Sequence, residues 1–143
     1  MVGVGVRSLA SVALFCVLLA GCDGNISAPS TVPVSGRVLF KGKPLAGVRV
    51  KMHPLFNIGS VKFIPSGETD RDGKFVITTA APNDGAPAGE YSVTFERPVV
   101  GTDKTGLEIE TDAWNGKYAD PGPGRWKVTV VSGKGELPDF NFE

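Results

Sequence analysis

Chemistry in this sequence would have to come from few side chains: two cysteines (Cys16 and Cys22), one histidine (His53) and a scatter of carboxylates. Zinc or copper needs three or four converging ligands, and no second histidine or nearby thiol accompanies His53. As the base of a serine-type triad, His53 would need a positioned acid and a nucleophile on a sharp strand-to-helix turn. No serine lies in such a context. Asp70 and Asp72 before Gly73 suggest a calcium loop, yet Thr79 stands where an EF-hand places its bidentate glutamate. Glu108, Glu110, Asp112 and Asp120 would serve glycoside hydrolysis only if their spacing fixed a separation, which it does not. No catalytic residue, metal ligand or cofactor follows from this set, and an enzyme is not expected.

The thiols point elsewhere. Cys16 lies in an apolar run, Leu9 to Ala20, behind a short start carrying Arg7. This is the form of a secretory leader (residues 1–21), and the run is too short to span a bilayer core of roughly 30 Å. It ends in Leu18-Leu19-Ala20-Gly21-Cys22, which resembles the lipobox of bacterial lipoproteins. Small residues let an extended chain enter a peptidase cleft, and a thiol carries the diacylglyceryl thioether. The resemblance implies a lipid-modified Cys22 and a membrane anchor facing the periplasm or cell exterior, stable once two or more acyl chains are attached. Cys16 would leave with the leader, so no disulfide pair survives and packing must supply stability. Charge is balanced at 15 basic and 15 acidic residues. The leader removes only Arg7, so no basic excess remains to recruit nucleic acid.

The elements that would position these residues follow from hydrophobic period. Residues 22–31 mix Asp, Gly, Asn, Ser, Pro and Ala and read as a flexible tether. From Val32 the period is two. Val34, Gly36, Val38 and Phe40 share one face, with Ser35 and Arg37 on the other; Val48, Val50 and Met52 point inward, with Arg49, Lys51 and His53 outward. Phe75 and Ile77, then Tyr91, Val93 and Phe95, then Trp126, Val128 and Val130, and finally Phe140 and Phe142 repeat the pattern, with a short run at Val61 to Ile64. Turns fall at Lys41 to Pro44, Thr69 to Lys74 and Asn83 to Gly89. One all-β domain over residues 32–143 is predicted, a sandwich of about seven antiparallel strands.

The turns also carry a likeness. Val34-Ser35-Gly36-Arg37-Val38, Gly42-Lys43-Pro44-Leu45-Ala46-Gly47-Val48, Thr69-Asp70-Arg71-Asp72-Gly73-Lys74-Phe75, and Asp84-Gly85-Ala86-Pro87-Ala88-Gly89-Glu90-Tyr91-Ser92-Val93 occur in that order. Lys117-Tyr118-Ala119-Asp120 and the strand from Trp126 follow. Together they resemble the carboxypeptidase regulatory-like domain of small bacterial lipoproteins. That resemblance implies a transthyretin-like or immunoglobulin-like sandwich and no peptidase activity. The segment Pro54 to Ser60 departs from the pattern. The transthyretin-related hydrolases of this fold class carry several histidines and a tyrosine-rich end, and this chain has neither.

The stretch Arg97 to Arg125 is long for an irregular connection, and such loops are often functional. It holds Trp114 and Tyr118, which offer a partner protein or a sugar ring an aromatic contact, or else fold back as a lid over the sandwich. The expectation is a non-catalytic, membrane-anchored accessory or interaction module that meets an unknown partner through this loop or a sheet edge. The alternative is a carbohydrate-binding module for cell-wall or environmental glycan, and a hydrolase ranks third.

Overall fold

The computed structural model describes residue 3 and residues 28–59, 62–122 and 125–143. Apart from residue 3, the leader lies outside the described residues, as do Cys22 and most of the tether. Within them the chain is all β. Its strands are β1 (Ser35–Phe40), β2 (Lys43–Pro44), β3 (Arg49–Pro54), β4 (Ser66–Glu68), β5 (Lys74–Val76), β6 (Gly89–Glu96), β7 (Pro98–Thr102), β8 (Glu108–Asp112), β9 (Lys127–Val130) and β10 (Phe140–Phe142).

Two sheets form a sandwich. In one, β1 lies between β10 and the pair β2 and β5; the other runs β4-β3-β6-β9. β7 and β8 pair with each other outside both sheets. β2 is a two-residue return of β1. Apart from these three, seven strands build the sandwich. The pairing departs from expectation in one place: β10 runs parallel to β1, with Val38 opposite Phe140 and Phe40 opposite Phe142. Two sheets supply this last step, since β9 pairs with β6 in one and β10 crosses to β1 in the other.

The inward set matches the period-two reading. Val34, Val38, Val48, Val50, Met52, Phe75, Ile77, Tyr91, Val93, Phe95, Val130, Phe140 and Phe142 are buried, each contributing roughly 1.5–3 kcal/mol of transfer free energy when fully removed from water. Gly36 also faces inward, and its missing side chain is filled: a Cβ there would lie 2.5 Å from Cζ of Phe75. Phe40, expected inside, is partly exposed at the end of β1. The chain turns back immediately after it. Lys41 and Gly42 both take positive φ (50° and 74°), making a two-residue loop of the kind whose twist suits a hairpin. The run read as a strand at Val61 to Ile64 is displaced: Val61 lies outside the described residues, and the strand falls at Ser66–Glu68.

Two turns work as their residues suggest. Asp70 Oδ1 accepts the N–H groups of Asp72 (2.9 Å) and Lys74 (3.0 Å), while Gly73 takes a φ of 71°. At the start of β6, the Tyr91 hydroxyl donates to the Pro87 carbonyl four residues upstream (2.7 Å), the tyrosine corner of antiparallel sandwiches. Burial pushes this phenol up to about 12.

The sandwich has two unlike poles. The chain enters at Val32, which pairs with Ala86, close to where β6 begins at Gly89 and β3 ends at Pro54. At the other pole β3 begins, with Arg49 opposite Glu96, and the chain leaves β6 for β7. No helix of the described residues is long and apolar enough to cross a membrane.

Candidate interaction surface

The first part of the stretch expected to be irregular, residues 98–112, is a built hairpin at the pole opposite the chain's entry. β7 and β8 pair antiparallel from Pro98 opposite Asp112 to Thr102 opposite Glu108. Asp103 closes the tip. Its Oδ1 accepts the Thr105 hydroxyl (2.6 Å) and the N–H groups of Thr105 (2.7 Å) and Leu107 (3.0 Å), and the Thr105 hydroxyl foremost holds this carboxyl below the usual range. Asp112 closes the base. Oδ1 takes the N–H of Arg97 (2.8 Å) and of Trp114 (3.1 Å), and Oδ2 that of Gly116 (2.8 Å). Partial burial opposes ionisation of Asp112, but these three donors outweigh it and lower the pKa. A sequence signal for the hairpin existed: Asp103 to Gly106 is a turn, flanked by Val99-Val100 and Ile109.

One ion pair ties the hairpin to the sandwich, Arg49 Nη1 to Glu110 Oε1 at 2.9 Å. Beside it Lys51 Nζ meets Glu96 Oε2 at 2.8 Å. A cleft of about 310 Å³ runs between them, lined by Arg49, Lys51, Glu96, Pro98, Glu110 and Asp112 among others. The rest of the hairpin is open to solvent. Val99, Val100, Leu107 and Ile109 are all exposed, Val100 by 72% and Leu107 by 66%. Side chains of one strand alternate between faces, so Val99, Gly101, Ile109 and Thr111 share a face and Val100 shares the other with Glu108 and Glu110. The four apolar residues are divided between the faces and the tip, Val99 and Ile109 together on one face and Val100 on the other.

Trp114 and Tyr118, the two aromatics singled out from sequence, close the same pole. The Tyr118 ring packs on Phe142 (centroids 4.6 Å apart) and is only 8% exposed. Half-buried Trp114 stands edge-on to Tyr118 (5.1 Å) and leans on Phe142 (5.3 Å). Lys117 Nζ and the Arg125 guanidinium lie over the Tyr118 ring at 5.0 and 5.4 Å. The Tyr118 carbonyl also accepts the Phe95 N–H (3.0 Å), continuing the β6 edge where β9 has ended. This is the lid arrangement. It leaves Tyr118 no free face for a sugar. Trp126 joins the same cluster against Phe95 and Phe140, its Nε1 buried without an acceptor among the described residues.

The remaining candidates are dispersed. His53 Nε2 lies 2.9 Å from the Thr94 hydroxyl, and burial, then the charge of Lys51, lowers its pKa. Ser92 is its cross-strand neighbour, but that hydroxyl donates to the Pro121 carbonyl (2.8 Å). Asp120 accepts the N–H of Gly122 (2.8 Å), and Glu110 holds Arg49. Among the described residues no three of His, Cys, Asp and Glu converge as metal ligands would. Cys22 lies outside the described residues.

No family model matches the chain. No curated protein matches it either. Among solved structures it is similar to part of a 9R-lipoxygenase from Cyanothece (18% identity, TM-score 0.44), covering 81% of this chain and 17% of that one. It is also similar to part of the major pilin subunit of Bacillus cereus (14% identity, TM-score 0.43), covering 80% of this chain and 30% of that one.

Proposed function

We propose that this chain is a membrane-anchored lipoprotein of the carboxypeptidase regulatory-like type, which acts without catalysis as an extracytoplasmic interaction module. One observation carries the reading: the polarity of the sandwich. The tether joins at the Val32–Ala86 pole, so a lipid on Cys22 would attach the domain from that end. The β7–β8 hairpin, with Val99, Val100, Leu107 and Ile109 exposed, projects from the end opposite the tether. A small domain anchored from one pole and presenting exposed apolar side chains among charges at the other is suited to contact rather than turnover. His53, Ser92, Asp112 and Glu110 bond to the Thr94 hydroxyl, the Pro121 carbonyl, the Arg97 N–H and Arg49, and among the described residues not to one another.

The test has two arms. Cys22→Ala should release the protein from the membrane fraction; continued lipid labelling and retention would refute the anchor. In-cell cross-linking followed by purification should recover a reproducible partner that is lost when residues 98–112 are replaced by a short Gly-Ser link. Capture unchanged by that replacement would refute the contact surface.

A further inference from the structure

The two outer edges of the β7–β8 hairpin differ in charge, and the difference selects a partner. β8 reads Glu-Ile-Glu-Thr-Asp and places three carboxylates along its length, whereas β7 reads Pro-Val-Val-Gly-Thr and has none. Among the described residues neither strand has a second neighbour. β7 carries no charge along its edge, and its one guard against pairing with another chain is Pro98 at the strand's first position, which withholds a single N–H donor; a two-stranded sheet gains independent stability once a third or fourth strand is added. We infer that β7 pairs antiparallel with β7 of a second copy of this chain, giving a four-stranded sheet β8-β7-β7-β8 about a two-fold axis. This rests on the reading of the hairpin as the contact surface.

Side-chain alternation sets the register. With Val100 opposite its own copy at the axis, Val99 of each chain faces Gly101 of the other. Gly101 has open space where a side chain would stand, and Ile109 is its cross-strand partner on β8. Val99 of one copy therefore meets Ile109 of the other across that gap, in two symmetry-related places. The other face carries the Val100 pair, with Glu110 opposite Val100 in each hairpin and held by Arg49 of its own chain. Pairing through β8 would instead bring Glu108, Glu110 and Asp112 of two copies together, where like charges repel. The same surface pairs with itself, so the assembly closes at two.

Sedimentation of the full chain in detergent should give twice the single-chain mass, and Val100→Lys should return it to the single-chain mass. Val100 is 72% exposed, so the substitution leaves the fold intact. Val100→Cys should form an intermolecular disulfide that Leu107→Cys does not, with the parent chain as the blank for Cys16 and Cys22. A single-chain mass at every concentration overturns the inference. So does a doubled mass that survives Val100→Lys without a Val100→Cys cross-link, because association then uses another face. Partner capture separates the two readings: a different protein lost with the hairpin from a single-chain species upholds the contact surface and rejects self-pairing.

Discussion

The carboxylate of Asp112 accepts the backbone N–H of Arg97 at 2.8 Å, joining the residue before β7 to the last residue of β8. The same side chain caps Trp114 and Gly116, so one carboxylate fixes the base of the hairpin and starts the turn that brings Trp114 and Tyr118 over the sandwich. Asp112→Ala removes three acceptor contacts at once. The expected cost is about 1–2 kcal/mol, the scale of a lost side-chain cap. Amide exchange should rise in residues 97–118 and stay slow in β3 and β6. Equal acceleration throughout would show that the hairpin and the sandwich open together.

Tyr91 makes the corresponding closure at the entry pole. Its hydroxyl donates to the Pro87 carbonyl at 2.7 Å, and Phe56 stands edge-on to its ring at 5.3 Å. Tyr91→Phe keeps the ring and strands a buried carbonyl, at a cost of about 1–3 kcal/mol. The phenol is also raised from 10.0 to about 12 by burial. A raised folded pKa favours the protonated form, so its contribution is complete below 10 and is lost as pH climbs through 12. Absorbance titration at alkaline pH should show a late tyrosinate step in the parent chain that is missing from the variant.

Periodicity made the sandwich legible because its strands bury one face. Val48, Val50 and Met52 alternate with Arg49, Lys51 and His53, and water sorts the two sets. β7 and β8 have no such sorting. Both of their faces are largely solvated, so apolar Val100 shares a face with Glu108 and Glu110, and the stretch reads as irregular. The parallel placement of β10 was hidden for another reason. Phe140 and Phe142 announce a buried face, but direction depends on which sheet the chain has crossed to. Trp114 and Tyr118 were legible as candidates and not as a lid, since an aromatic side chain suits either an exposed contact or a covered core edge.

His53 gives the stability of this protein a slope near neutral pH. Its pKa lies below the ordinary 6.5 because burial, then Lys51, disfavours the imidazolium, while Glu96 opposes them. As pH falls through 6.5 the unfolded chain takes up the proton before the folded one does. Stability is therefore highest above that point, declines toward the lowered folded pKa and is level below it. His53→Gln should flatten the melting temperature between pH 7 and pH 5 relative to the parent chain. An unchanged slope would assign it to another group.

Gly85 and Gly106 form a matched pair, with φ of 88° and 86°. A side chain in that region is strained by about 1–2 kcal/mol wherever it sits. Their surroundings differ. A Cβ at Gly106 meets nothing within 4 Å, whereas one at Gly85 collides with the Val32 carbonyl. That carbonyl accepts the Ala86 N–H at 2.9 Å, and Val32 N donates back to the Ala86 carbonyl at 2.8 Å. Gly106→Ala should therefore cost about 1 kcal/mol, the strain alone. Gly85→Ala adds a clash that only backbone movement relieves and should cost 3 kcal/mol or more, on the order of the larger single-site effects. Denaturant unfolding measures both. The paired difference measures the cost of crowding the Val32–Ala86 bridge, and amide exchange at Val32 and Ala86 reports whether Gly85→Ala has opened it. Similar losses for the two variants would mean that the chain's entry is held by β1 and not by this bridge.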